Sequence, residues 1–310
     1  MKQEGLLEVR IGRIQLENPL ILASGILGTN AEILCRLAKA GFAAVTTKSI
    51  GPYPNEGHPG PNVIEVPCGF INAIGLRNPG IDVFSEEIKK FKKICKKPLI
   101  VSIYANDTEG YGRVAKVAEN SGADVIEVNV SCPHSKEKIL NIGLDARLTA
   151  EVIEEVKKNV KRIPIFIKLP GNTNIPSFLD VAKSAIDSGI DGFVAINTLP
   201  AIAIDIEIGK PILGFKVGGL SGPAIKHVAL RLVYELRKVT DLPIIGVGGI
   251  TNYRDVLEFI ATGANAVQIG SAIGKYGTKI IRRILRNLTR YLEKEKKNIT
   301  DYFCMIMKDN

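Results

Sequence analysis

The most chemically loaded stretch of the chain is VIEVNVSCPHS, residues 125–135, where an apolar, alternating run ends in Asn129, Ser131, Cys132, Pro133 and His134. A thiol in that place is either a small buried hydrophobe or a group that handles a proton. Pro133 and a polar stretch follow it instead of core-like residues, and neither a Ser-His-Asp set nor a cluster of metal ligands stands elsewhere. Cys132 is therefore read as a general base or acid that moves a proton. Asn129 lies on the same run, Asn72 in NAIGLRNPG and Asn197 in INTL. An asparagine offers both a donor and an acceptor, which suits the alternating N–H and C=O edge of a pyrimidine or amide ring.

Two lysines, Lys48 in TTKS and Lys168 in IKL, each close an apolar run. Such a lysine is commonly solvated, but beside a ring that accepts hydride an ammonium stabilises the charge that develops. The segment IIGVGGITNYRDVLEFIATGANAVQIGSAI, residues 244–273, adds two Gly-rich turns, Gly248-Gly249 and Gly270-Ser271, each leading toward a helix start. One such turn is ordinary turn chemistry; two in succession form a seat for a phosphate, because glycines let backbone N–H groups close on an anion. Gly222 and Pro223, in GGLSGPAIK, open another helix nearby. The phosphate could belong to a sugar phosphate or to FMN, and the lysines favour FMN.

These groups need elements to hold them. Short apolar runs fall at 19–24, 43–49, 98–104, 124–130, 163–169, 191–197, 242–249 and 264–270, separated by amphipathic segments such as EGYGRVAKVAENSG and PSFLDVAKSAIDSG that close on glycine. Eight strands alternating with helices predict a closed (β/α)8 TIM barrel, since near-continuous apolar strands require helices on their outer face. The opening LLEVRIGRIQLEN alternates around a turn and predicts an N-terminal β-hairpin capping the barrel bottom. In such barrels the C-terminal strand ends build the active site, and the loops after the last two strands seat phosphate. Reading only those ends collects Ser24, Lys48-Ser49, Ser102, Asn129 with Cys132, Lys168, Asn197-Thr198 and the two glycine turns.

With 310 residues and 45% hydrophobic content, the chain can bury a large core, and residues 1–310 read as a single barrel domain. No apolar run is long enough to cross a membrane, and the start is too polar for a signal peptide. Five scattered cysteines point to reduced thiols in the cytoplasm. The net charge of +9 gathers in the tail KIIRRILRNLTRYLEKEKKN, whose Ile280, Ile281, Ile284, Leu285, Leu288 and Leu292 form a helical stripe. That is a solvated basic helix face, with no nucleic-acid or membrane partner implied.

Over nearly its whole length the sequence resembles class 1 dihydroorotate dehydrogenases. The matching pieces are LASGILG, TTKSIG, NAIGLRNPG, NVSCPH, IKL, INTL, GGLSGPAIKHVALRLV, GVGGI and IGSA; NAIGLRNPG and KPILGFKVGGLSGPAIK resemble the NAD-linked B-type. The resemblance implies oxidation of dihydroorotate to orotate in pyrimidine biosynthesis, with one FMN per chain. FMN would contact Ser24, Lys48, Ser49, Asn129, Lys168, Ile196, Gly222, Gly248, Gly249, Gly270 and Ser271. The substrate would contact Lys48, Asn72, Ala73, Ile74, Gly75, Leu76, Asn129, Asn197 and Thr198. Cys132 would take the proton from carbon 5 while hydride leaves carbon 6, with Lys168 as the second catalytic group. His134 replaces the family's usual asparagine, and CPH also occurs in the related dihydropyrimidine dehydrogenase barrel. The resemblance further implies a homodimer in the cytoplasm and a separate electron-transfer subunit bearing FAD and an iron–sulfur cluster, since this chain has no GxGxxG fold signal and too few clustered cysteines. The alternatives are an FMN barrel acting on another dihydropyrimidine, an A-type enzyme using fumarate, and a sugar-phosphate enzyme on the same phosphate seat.

Overall fold

The computed structural model describes residues 5–130 and 139–307. Eight parallel strands close into a barrel: β1 (Leu20–Leu22), β2 (Ala44–Thr46), β3 (Leu99–Ile103), β4 (Val125–Asn129), β5 (Ile165–Leu169), β6 (Gly192–Ala195), β7 (Ile244–Val247) and β8 (Ala266–Ile269), each beside the next and β8 beside β1. Each falls inside one of the apolar runs expected to be a strand. Every residue of β3, β4 and β5 is buried, as strands require when side chains fill the barrel on one face and helices cover the other.

The outer layer comprises α1 (Ala31–Lys39), α2 (Ile81–Ile94), α3 (Thr108–Ser121), α4 (Ala146–Asn159), α5 (Ile175–Asp187), α6 (Lys226–Arg237), α7 (Tyr253–Ala261), the short α8 (Ser271–Tyr276) and α9 (Lys279–Glu295). Their starts are written locally. Asn30, Asp107, Asp145, Asn174 and Asn252 each accept an N–H of the first turn of α1, α3, α4, α5 and α7, satisfying donors the helix itself leaves free. α3 stops at Gly122, which takes the left-handed conformation a glycine cap supplies. The basic α9 buries Ile280, Ile281, Ile284, Leu288 and Leu292 and turns its arginines outward. Among the described residues, no helix is long and apolar enough to cross a membrane.

The N-terminal hairpin is present as Val9–Ile11 paired antiparallel with Ile14–Leu16. Ile11 and Leu16 are buried, and Arg13 donates to the carbonyl of Arg162, which precedes β5. The hairpin therefore sits where the strands begin, at the barrel bottom.

A second sheet has no counterpart among the expected strands. Two insertions, one after β2 and one after β6, meet over the opposite end as a four-stranded antiparallel sheet ordered Leu199–Ile202, Val217–Ser221, Gly69–Asn72, Val63–Val66. The junction pairs Gly219 with Asn72 and Ser221 with Phe70. Its strands approach so closely that a Cβ on Gly69 would fall 1.8 Å from the Ser221 carbonyl oxygen. This sheet roofs the C-terminal mouth of the barrel.

Candidate active site

Between roof and barrel lies a cavity of about 310 Å³, lined by the C-terminal ends of the barrel strands and by the roof. Its floor is polar and buried. Lys168, near the end of β5, donates to Ser24 Oγ at 2.9 Å and to Gln268 Oε1 at 3.3 Å. Its ammonium lies 3.5 Å from Glu127 Oε1, with both side chains almost fully excluded from solvent. Gln268 in turn donates through Nε2 to Glu127 Oε2 at 2.7 Å and to Thr46 Oγ1 at 3.4 Å. The members stand on β2, β4, β5 and β8, so barrel closure brings them together.

One level higher, at the mouth, register places Asn129 beside Lys168 on the neighbouring strand. Asn129 Nδ2 donates to Ser49 Oγ at 3.0 Å, and Ser49 shares a 3.0 Å hydrogen bond with Ser102. Asn197 donates to Asn129 Oδ1 at 3.3 Å and accepts from the Thr198 N–H at 2.8 Å. Asn72 reaches in from the roof, where its Nδ2 donates to the Gly219 carbonyl at 3.2 Å. The amides thus sit around one space, their orientations set by hydroxyls and backbone.

The Asn72–Leu76 loop is braced from behind. Asn78 donates to the Leu76 carbonyl and to Tyr104 Oη, both at 2.8 Å, and accepts from the N–H groups of Gly51 and Gly80. Gly75 has a φ of +73°, and a Cβ there would lie 2.7 Å from the His58 ring. Only glycine fits that turn without displacing His58.

At the far end of the cavity the glycines form a cradle. Gly222 and Gly249 have φ of +100° and +70°, and a Cβ on Gly249 would fall 2.7 Å from the Gly222 carbonyl oxygen. Gly248, Gly270 and Ser271 line the same end. Backbone brought this close, with no side chain between, suits a phosphate, and the amide-ringed, lysine-floored end suits a planar polar ring. The residues present therefore fit a phosphate-bearing ring cofactor.

Lys48 enters the cavity from the loop after β2, its backbone N–H donating to the Gly28 carbonyl at 3.0 Å. Burial, with the nearby Arg77 charge second, holds its ammonium below the usual lysine range. An anion bound beside it would reverse that penalty.

Of the residues anticipated from sequence, Ser24, Lys48, Ser49, Asn72, Ile74, Gly75, Leu76, Asn129, Lys168, Ile196, Asn197, Thr198, Gly222, Gly248, Gly249, Gly270 and Ser271 all line the cavity. Ala73 does not; it is buried in a small apolar cluster with Ile71 and Leu213, as strand alternation dictates for the neighbour of Asn72. Cys132, with Ser131, Pro133 and His134, lies outside the described residues. Glu127, Gln268 and Thr46 were not anticipated as a group, nor were Phe70, Asn78 and Tyr104. Glu127 did carry a signal: a carboxylate in the middle of an otherwise apolar, wholly buried strand must have a partner.

Fold and cavity together define an α/β-barrel enzyme whose working groups stand at the C-terminal mouth. A family model described as Dihydroorotate dehydrogenase matches residues 6–292. The chain belongs to the dihydroorotate dehydrogenase family and is an oxidoreductase. It is 44% identical over 301 residues to the "Dihydroorotate dehydrogenase B (NAD(+)), catalytic subunit" of Methanocaldococcus jannaschii, covering 96% of this chain and 97% of that protein. It is 45% identical over 289 residues to the protein of the same description from Pyrococcus furiosus, covering 93% and 94%. A crystal structure of DHODH in complex with ferulenol from Eimeria tenella shares the fold, with a TM-score of 0.85 over 99% of this chain and 90% of that one at 24% identity.

Proposed function

We propose that the chain, acting as a single FMN-binding barrel domain, oxidises dihydroorotate to orotate in pyrimidine biosynthesis. The observation that carries this reading is the convergence of Asn72, Asn129 and Asn197 around one cavity whose floor is the buried Lys168 ammonium. Ser24, Ser49, Asn129, Lys168 and Ile196 would hold the flavin ring, and Gly222, Gly248, Gly249, Gly270 and Ser271 its phosphate. Bound FMN would supply the hydride acceptor, taking the hydride from carbon 6 of the substrate.

The chain's own residues do the rest. Lys48 meets the substrate carboxylate, and the backbone of the Asn72–Leu76 loop closes around it. The asparagine amides, with Thr198, pair with the edge of the pyrimidine and hold carbon 6 toward the flavin. Cys132 follows Val130 by two residues; as thiolate it takes the proton from carbon 5. Lys168 would help hold the bound ring and would offer positive charge to the electrons it accepts.

The relatives are described as catalytic subunits of an NAD(+)-linked enzyme. We extend this to a second subunit carrying FAD and an iron–sulfur cluster that passes electrons to NAD, to a homodimer of this chain, and to a cytoplasmic location. The test is the absorption spectrum of the purified chain before and after anaerobic dihydroorotate. A flavin spectrum that bleaches supports the proposal; a colourless protein, or a flavin that bleaches with dihydrouracil instead, overturns it. Stopped-flow reoxidation of the reduced chain tests the partner. Slow transfer to NAD by the isolated chain is expected, whereas rapid reoxidation by NAD alone, or by fumarate, removes the need for a second subunit.

A further inference from the structure

The carboxylate of Glu127 is fully buried in the barrel, two positions before Asn129, and nothing in the proposed reaction uses it. Its surroundings are specific. Oε2 accepts the Gln268 amide at 2.7 Å. Oε1 accepts no hydrogen bond among the described residues and lies 3.5 Å from the Lys168 ammonium. The Gln268 side chain spans the two charges: its N–H end faces the carboxylate and its carbonyl end faces the ammonium. Register puts Ser102 on one side of Glu127 and Phe166 on the other, and Thr46 is the remaining polar neighbour of Gln268. Lys168 is therefore the one cation among the described residues seen to pair with this carboxylate.

Burying a lone carboxylate or a lone ammonium is costly, and a pair offsets that cost only where geometry is good and the remaining hydrogen bonds are made. Here Lys168 spends hydrogen bonds on Ser24 and Gln268, and the salt-bridge contact to Glu127 is longer than either. That is a loose pair. The carboxylate stands close enough to offset the ammonium charge and far enough not to capture it. Ser24, the other lysine acceptor, lines the cavity, so the ammonium is aimed between the carboxylate and the cavity.

We infer that Glu127, together with Gln268, is a positioning residue for the reaction: it orients the Lys168 ammonium and sets how much positive charge the cavity floor presents to the bound ring. The inference rests on the proposed flavin reaction. With Glu127 in place, floor and carboxylate are neutral together before hydride transfer, and negative charge arriving on the ring competes with Glu127 for the same ammonium. Glu127 thereby holds the ring's reduction potential below the value that Lys168 alone would give. The ring then passes its electrons on more readily after the substrate has been oxidised.

The test is a double-mutant cycle of Glu127→Gln and Lys168→Met. It is read by spectroelectrochemistry of the bound flavin and by thermal melting of the flavin-free chain. Glu127→Gln is expected to raise the flavin midpoint potential by about 30 mV for each tenfold shift of the two-electron equilibrium. In the Lys168→Met background the same substitution leaves the potential nearly unmoved, because the ammonium through which Glu127 acts is gone. An unchanged potential in Glu127→Gln, with flavin bound and bleached by dihydroorotate, overturns the inference and leaves the proposed function standing. A wild-type chain that holds no flavin overturns both. If Glu127→Gln cannot hold flavin, melting decides: the double variant should be more stable than Lys168→Met, whose carboxylate has lost its countercharge. A double variant no more stable than that single one overturns the pair.

Discussion

The cavity has two walls made in different ways. The floor presents Lys168 and Gln268 to the cavity, backed through hydrogen bonds and an ion pair by Thr46 and Glu127, all on barrel strands and all buried. The roof consists of Asn72–Leu76 and the sheet over it, built from two insertions and braced by Asn78 and Tyr104. On the floor, parallel register and barrel closure set the spacing, so position is held by the whole core and the sensitive quantity is charge. In the roof, position depends on a few hydrogen bonds and on glycine conformations, so the sensitive quantity is shape. On the proposed reading, in which the floor tunes electrons and the roof fits a substrate, the two should respond to mutation along different kinetic axes.

The largest expected effect lies with the proposed general base. Cys132→Ala should keep FMN while losing ~10² to 10⁴ in turnover, the usual consequence of removing a general base. Near-normal bleaching of the flavin by dihydroorotate in that variant ends the assignment.

The floor comes next. Lys168→Ala should slow flavin reduction by ~10² to 10³, the scale for losing one electrostatic contact to developing charge, with the dissociation constant for dihydroorotate nearly unchanged. A variant that weakens binding and leaves the single-turnover rate intact would place Lys168 among the shape-determining groups and dissolve the contrast.

For the roof the pattern should invert. Asn78→Ala strips the brace from the Leu76 carbonyl and Tyr104, at a cost of ~1 to 3 kcal/mol in loop order. The Michaelis constant for dihydroorotate should rise by about tenfold per 1.4 kcal/mol, while the flavin midpoint potential stays at the wild-type value. A shifted potential would show that the roof also reaches the ring's electronics.

The smallest effect is a pH dependence. Burial, then the Arg77 charge, lowers the Lys48 ammonium below the usual lysine range. A base with a lowered folded value holds fewer protons when folded, so the burial cost of the charged form is present at neutral pH and relieved as pH rises through that lowered value. Binding of an anionic substrate runs the other way: affinity is full while Lys48 is charged and falls as pH rises through the same window. Dihydroorotate titrations monitored by flavin absorbance from neutral to alkaline pH should show this loss earlier than a free lysine would give it. Lys48→Arg should move it out of range.

How much of this was legible beforehand follows the same division. All eight barrel strands fell within apolar runs, and the helix starts at Asn30, Asp107, Asp145 and Asn174 are local signals of the kind a sequence displays openly. The cavity-lining glycines and strand-end lysines could be named because barrel topology converts a strand end into a place at the mouth. The roof sheet could not, since Gly219 and Asn72 are 147 residues apart and neither segment alternates clearly enough to announce its partner.

By itself, then, the sequence determined the repeating βα units, the hairpin below them, and which polar groups stand where strands stop, because these depend on burial pattern and turn chemistry within a few residues. Only the tertiary structure decided which of those groups touch. Gln268 meets Glu127 across 141 residues, and Lys168 meets Ser24 across 144. Ala73 turns away from the cavity while its neighbours Asn72 and Ile74 line it. The physical reason is closure: strand order and register fix which side chains share a layer inside the barrel, and no local pattern encodes the strand opposite. Glu127 makes the point at one residue, since its burial follows from its strand but its meaning comes from the lysine two strand ends bring beneath the same cavity.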